Sequence, residues 1–184
     1  MLEGAPPARC ADAERLWSFL DAHRAESDRR TALAALREDG PYANRVAAAA
    51  VLANFAEQDS SWWALVEALR DGNEAVRATA VTALRVLPVR EVNWAPVAPS
   101  LRALLGGTNV SATQAVMELL DRTKVSPALA SPLLGKGNGD WLLTHLRAEN
   151  PLATYSAHAL LVRLNGGVDL GTQDTAWMRW LATL

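Results

Sequence analysis

Leu65-Val66-Glu67-Ala68-Leu69-Arg70-Asp71-Gly72-Asn73-Glu74-Ala75-Val76-Arg77 runs on into Ala80-Val81-Thr82-Ala83-Leu84-Arg85-Val86-Leu87, and it reads as helix, tight turn, helix. Leu65, Leu69, Val76, Ala80, Leu84 and Leu87 recur at the spacing that places apolar side chains on one helical face. Asp71-Gly72-Asn73 supplies a glycine stop for the first helix and a fresh N-cap for the second. Pro88 has no N–H to donate and ends the second helix.

The same pattern returns along the chain. Displaced by 77 residues, Leu142, Leu143, Leu146, Arg147 and Asn150 fall on Leu65, Val66, Leu69, Arg70 and Asn73, and Ala157, Leu161 and Leu164 fall on Ala80, Leu84 and Leu87. Displaced back by 32, Asp39, Gly40, Arg45, Ala48 and Leu52 fall on Asp71, Gly72, Arg77, Ala80 and Leu84. A weaker copy lies between, with Ala115 and Leu119 in the Ala80 and Leu84 places. Chance gives one such register readily but not three, so a repeat architecture is expected. Helices are expected near 11–24, 28–38, 42–56, 60–70, 74–87, 94–105, 110–122, 138–148, 152–164 and 173–183. The stretch 126–139, with Pro127, Pro132 and the run Gly135-Lys136-Gly137-Asn138-Gly139, reads as irregular, with a short turn near 128–134.

Half of the 184 residues are hydrophobic but only 6% are aromatic, so Ala and Leu dominate and the core is built from many thin helix contacts. Lys and Arg number 18 against 20 Asp and Glu, for a net charge of −2, which disfavours a broad nucleic-acid surface. The lone Cys10 allows no intrachain disulfide, and no run of 18 or more apolar residues reads as a membrane span. The cytoplasm is the expected location, with a secreted form left open if a leader has been removed. The expected organisation is a flexible segment, 1–10, followed by one helical-repeat domain, 11–184, closed by a capping helix, 172–184, that carries Trp177 and Trp180. Trp17 and Phe19 are placed to cover the other end.

The run Leu65–Leu87 resembles HEAT repeats, particularly the short bacterial type also seen in phycobilin-lyase-like proteins. The family pattern has an Asp in the turn and an Arg early in the second helix; Asp71 and Arg77 match it, as do Asp39 and Arg45. The resemblance implies a right-handed α-α superhelix, a solenoid of about four to five helix pairs, in which these four residues form a structural ladder between neighbouring repeats. In the last copy Ala148 and Thr154 stand in the Asp and Arg places, so the ladder is expected only in the N-terminal half.

In a solenoid the second helices of successive pairs line one inner surface. With Val76, Ala80, Leu84 and Leu87 facing the core, the opposite flank presents Ala78, Thr82 and Arg85. The repeat registers add Val46, Ala50 and Ala53, then Thr113, Met117 and Leu120, then Tyr155, Ala159 and Val162. A solvated face would carry Glu, Lys and Arg, whereas this one is mostly small and apolar. Two readings stand: a stripe that docks a helix or extended peptide of another protein, with Arg85, Met117 and Tyr155 as anchors and Thr82, Thr113 and Val162 beside them, or, if the helices are rotated, core.

Other chemistry finds little to build on. His23, His145 and His158 lack metal-ligand spacing, although His145 and His158 could approach across one helix pair. The Gly135–Gly139 run lacks the Gly-Lys-Ser/Thr ending of a phosphate loop and reads as a flexible connection. Trp62, Trp63 and Trp141 open first helices, where indoles staple a helix start or stack on a ligand. Glu67 and Asp71 are the carboxylate pair near tryptophans. The expectation is therefore a non-catalytic protein-binding scaffold or assembly subunit with no cofactor and no metal. The alternative is an enzyme on this fold, phycobilin lyase-like or DNA glycosylase-like. A piece of a longer solenoid, with Trp177 and Trp180 facing the rest, is a third possibility.

Overall fold

The computed structural model describes residues 13–135, 137–171 and 173–184, with side chains from Ser18 onward, and throughout them the chain is helical with no strand. Eleven α-helices are seen among the described residues: α1 Ala13–Ala22, α2 Glu26–Arg37, α3 Tyr42–Leu52, α4 Asp59–Ala68, α5 Glu74–Val86, α6 Ala98–Leu105, α7 Val110–Arg122, α8 Ala130–Leu134, α9 Asp140–Leu146, α10 Pro151–Leu164 and α11 Asp174–Leu181. Short 3-10 turns, Ala95–Val97 and Pro127–Leu129, lead into α6 and α8. The expected flexible segment 1–10 and the Trp17 side chain lie outside the described residues. The chain divides into two compact units, Met1–Pro88 and Val89–Leu184. The division falls after the proline that ends α5.

In the first unit α3 packs on α2, α4 and α5, and α4 on α2 and α5. Ala47, Ala48 and Ala49 are all buried, so α3 is enclosed on most of its circumference, and side chains this small let neighbouring helix backbones approach closely. Ala80 on α5 is likewise fully buried, with Val76 and Leu84 on its flanks. Asn73 caps α5 by accepting from the Ala75 N–H at 2.9 Å. α3 stops at Leu52 rather than running to 56. Beyond it the Asn54 side-chain amide donates to the carbonyls of Leu20 at 2.7 Å and His23 at 3.0 Å, tying the end of α1 to the chain that follows α3.

In the second unit α6 pairs with α7, α9 with α10, and α10 packs on α7. Asn109 and Asn150 cap α7 and α10 as Asn73 caps α5, and Pro151 fills the first helical position, where no N–H is needed. The segment 127–134 forms a turn and α8, which lies on α6. The Gly135–Gly139 run, expected as a loose connection, contains two glycines set by close packing. A Cβ on Gly135 would stand 2.6 Å from the Ser131 carbonyl, and one on Gly139 would stand 2.6 Å from the Leu181 side chain.

Tryptophans anchor both units from inside. Trp62, Trp94 and Trp177 are fully buried, and their indole N–H groups donate to the Ala56 carbonyl, the Thr123 hydroxyl and the Gly171 carbonyl at 2.7, 2.8 and 2.7 Å. A buried indole keeps its polar edge satisfied in this way, and these three rings have no face to offer a ligand. Phe19 is buried with its ring 4.4 Å from that of His23. Trp177 carries the seating of α11, while Trp180 is half-buried beside it. Among the described residues no helix is long and apolar enough to cross a membrane.

Candidate functional site: the second-helix faces of each unit

Each unit fixes its second helices differently, and the fixing decides which side chains face outward. In the first unit the four residues read as a ladder resolve into one rung and one turn lock. The Arg45 guanidinium on α3 donates through Nε to Asp71 Oδ2 at 2.7 Å and through a terminal nitrogen to Oδ1 at 3.1 Å, and its other terminal nitrogen bonds the Gly40 carbonyl. Asp71 Oδ1 also accepts from the Asn73 N–H at 2.8 Å. Arg77 locks the turn from the other side, donating to the carbonyls of Asp71 at 2.7 Å and Gly72 at 3.1 Å. The Arg45 bonds, and then the Asn73 N–H, hold the Asp71 carboxyl below its ordinary range against the opposing effect of burial. Asp39 is exposed and acts on Arg45 only as a nearby charge. Asp71 is thus committed to structure, and Glu67 is exposed with Arg70 at 3.8 Å.

With α5 held by this lock, Ala78, Thr82 and Arg85 are exposed, while Val46, Ala50 and Ala53 of the first unit are half-buried. The Thr82 hydroxyl bonds back to the Ala78 carbonyl at 3.0 Å, so its donor is spent within the helix. Tyr42, at the start of α3, adds a large exposed ring.

The second unit has no acid in the Asp71 place. Thr154 takes over the lock, its hydroxyl donating to the Ala148 carbonyl at 2.9 Å, as Arg77 does to the carbonyl of Asp71. Two rungs join α7 and α10: the Gln114 amide donates to the Ser156 hydroxyl at 2.9 Å, and Arg163 pairs with Asp121 at 3.3 Å. Both pairs are 42 residues apart, and a constant difference means that the helices run parallel and in register.

This geometry corrects the stripe expected on α7. Met117 and Leu120 are fully buried and Thr113 is 1% exposed, so none of the three is a contact for a partner. The Thr113 hydroxyl donates to the Leu104 carbonyl at 3.0 Å, which turns that face of α7 towards α6. The outward residues are Val110, Ser111, Gln114, Glu118 and Asp121, one position on from those expected. A signal for this was present in the sequence: Ser111, Gln114, Glu118 and Asp121 are polar residues at helical spacing on an otherwise apolar helix.

On α10, Tyr155 is exposed at 69% and Leu152 at 57%, while Ala159 and Val162 are half-buried. Leu152 and Val110 stand one turn before the Gln114–Ser156 rung on their respective helices, and Val110 is 68% exposed. Three large apolar side chains therefore gather at the N-terminal ends of two parallel helices. Val110 and Leu152 belong to this cluster although the register carried over from α5 did not single them out.

The histidines sit apart. His23 is buried and bonds the Phe19 carbonyl at 2.7 Å; His145 lies beside Trp141 with ring centroids 6.0 Å apart, where burial lowers its pKa; His158 meets Asp169 at 2.9 Å. Among the described residues no group of three or more His, Cys, Asp or Glu is placed to hold a metal ion. Cys10 lies outside the described residues. No protein-family model and no curated protein matches the chain. The fold and the two sets of rungs define an all-helical protein built from paired helices.

Proposed function

We propose that this chain is a HEAT-like helical-repeat scaffold that binds another protein and performs no chemistry of its own. Its helix pairs are read as turns of a right-handed superhelix, and the cytoplasm as its location. The HEAT reading is supported by the Arg45–Asp71 rung and by the Arg77 and Thr154 turn locks, which fall at matching repeat positions.

The observation that carries the binding role is the exposure of Tyr155, Leu152 and Val110 together at one end of α7 and α10. Apolar groups of this size on a folded surface favour an apolar partner surface, since each buried aliphatic or aromatic side chain contributes about 1.5–3 kcal/mol. The partner segment is a helix or extended peptide that sets apolar residues against this cluster.

A photo-reactive residue placed at position 155 in the native host should cross-link to a discrete partner, and the double variant Tyr155→Asp, Leu152→Glu should lose that partner while remaining folded. Retention of every partner by the folded double variant would remove the proposal.

A further inference from the structure

The connection from α10 to α11 is organised around a single glycine. Gly171, at φ +83°, gives its N–H to Asp169 Oδ1 at 2.7 Å and accepts the Trp177 indole N–H on its carbonyl at 2.7 Å. The same Asp169 oxygen meets Nε2 of His158 at 2.9 Å, and the His158 ring stands edge-on to the Trp177 ring with centroids 6.1 Å apart. Trp177 is the one fully buried residue of α11. An imidazole on α10 is thereby linked, through one carboxylate and one glycine, to the anchor of the terminal helix.

We propose that His158 and Asp169 form a proton-operated clasp on α11: charging the imidazole turns their hydrogen bond into an ion pair, tightens the Gly171 turn and holds Trp177 in its seat. The neutral imidazole keeps at most a hydrogen bond, so the clasp loosens as pH rises. Asp169 remains the anion throughout, because the Gly171 N–H and then His158 hold its carboxyl below the ordinary range. Of the charged groups on the packed elements, Glu118 of α7 accepts from Gln114, Asp121 of α7 pairs with Arg163, and Arg147 pairs with Asp174 between α9 and α11; Arg122 on α7 and Asp140 on α9 are further ones. Arg179, also on α11, is exposed, and His145 on α9 stands beside Trp141.

The test is an NMR titration of the whole ¹⁵N-labelled chain. The Gly171 amide and Trp177 indole signals should move in step with the His158 ring signals as the imidazole changes charge. Exchange of the Trp177 indole proton, corrected for its intrinsic pH dependence, should be about two- to fivefold slower at the acid end, the scale of a partly exposed ion pair. In His158→Gln, which keeps a donor but cannot take the charge, both signals should stop titrating. Stationary Gly171 and Trp177 signals in the unmodified protein while His158 titrates would overturn the clasp. So would a titration that survives in His158→Gln, because it would belong to another group such as His145. The unmodified protein alone decides the matter if the variant does not fold.

Discussion

Arg45 and Asp71 meet as a two-point pair, Nε to Oδ2 at 2.7 Å and a terminal nitrogen to Oδ1 at 3.1 Å, with both side chains more than four-fifths buried. The contact joins α3 to the turn between α4 and α5, so it carries information from one helix pair to the next. Removing the carboxylate strips an acceptor from Arg45 and from the Asn73 N–H at once. Asp71→Ala should lower stability by about 1–2 kcal/mol, towards the low end for charged hydrogen bonds because water still reaches the pair. Chemical denaturation would read this as a shifted midpoint.

The same pair sets an acid response. The folded-state pKa of Asp71 lies below its unfolded value, so its contribution is complete above the ordinary carboxylate range and is lost as pH falls through the lowered value. Asp71→Asn should therefore flatten the acid limb of a stability–pH curve while leaving the slope near neutrality unchanged. An unaltered acid limb would show that the pair does not persist in solution.

Asn54 ties the first unit together by a different route. Its amide serves the carbonyls of Leu20 and His23, and alanine there would leave both without that donor. Asn54→Ala should cost about 1–2 kcal/mol, and hydrogen exchange should rise first in α1.

Glycines separate by what surrounds them. Gly135→Ala places a methyl against the Ser131 backbone carbonyl, which cannot swing aside, and should destabilise by about 1–3 kcal/mol. Gly72→Ala meets nothing within 4 Å, and Gly72 does not adopt a positive φ, so that change should be neutral or stabilise by up to about 1 kcal/mol. Thermal unfolding of the two variants should move in opposite directions or differ by several degrees.

Surface and core exchange places along the expected stripe. Met117→Ala should cost about 2–5 kcal/mol as a cavity in a closed core, whereas Tyr155→Ala should stay within about 0.5 kcal/mol of the parent. Equal losses at the two positions would mean that Tyr155 is covered in the folded protein.

The sequence by itself determined where the helices are and how they pair, because periodicity and capping act within a few residues. α7 spans the residues expected of it, and Asn73, Asn109 and Asn150 cap as their positions require. The resemblance to HEAT repeats implied a structural role for Arg45, Asp71 and Arg77, and all three meet at the turn between α4 and α5. Gly72 stands in the expected turn without a positive φ, and the turn is closed by side chains, Asp71 on the Asn73 N–H and Arg77 on the Asp71 and Gly72 carbonyls.

The tertiary structure decided which neighbour each helix face meets. On α7 the polar residues Ser111, Gln114, Glu118 and Asp121 mark an outer side, but Ala112, Ala115, Val116, Met117, Leu119 and Leu120 cover so much of the rest that the register carried over from α5 set the helix one position off. The choice is made by contacts with other helices, Thr113 on the Leu104 carbonyl and Gln114 on Ser156, and it puts Met117 in the core while leaving Leu152 and Val110 outside. Local pattern fixes a helix to within a turn along the chain, but its angular setting follows from which neighbour satisfies its polar groups.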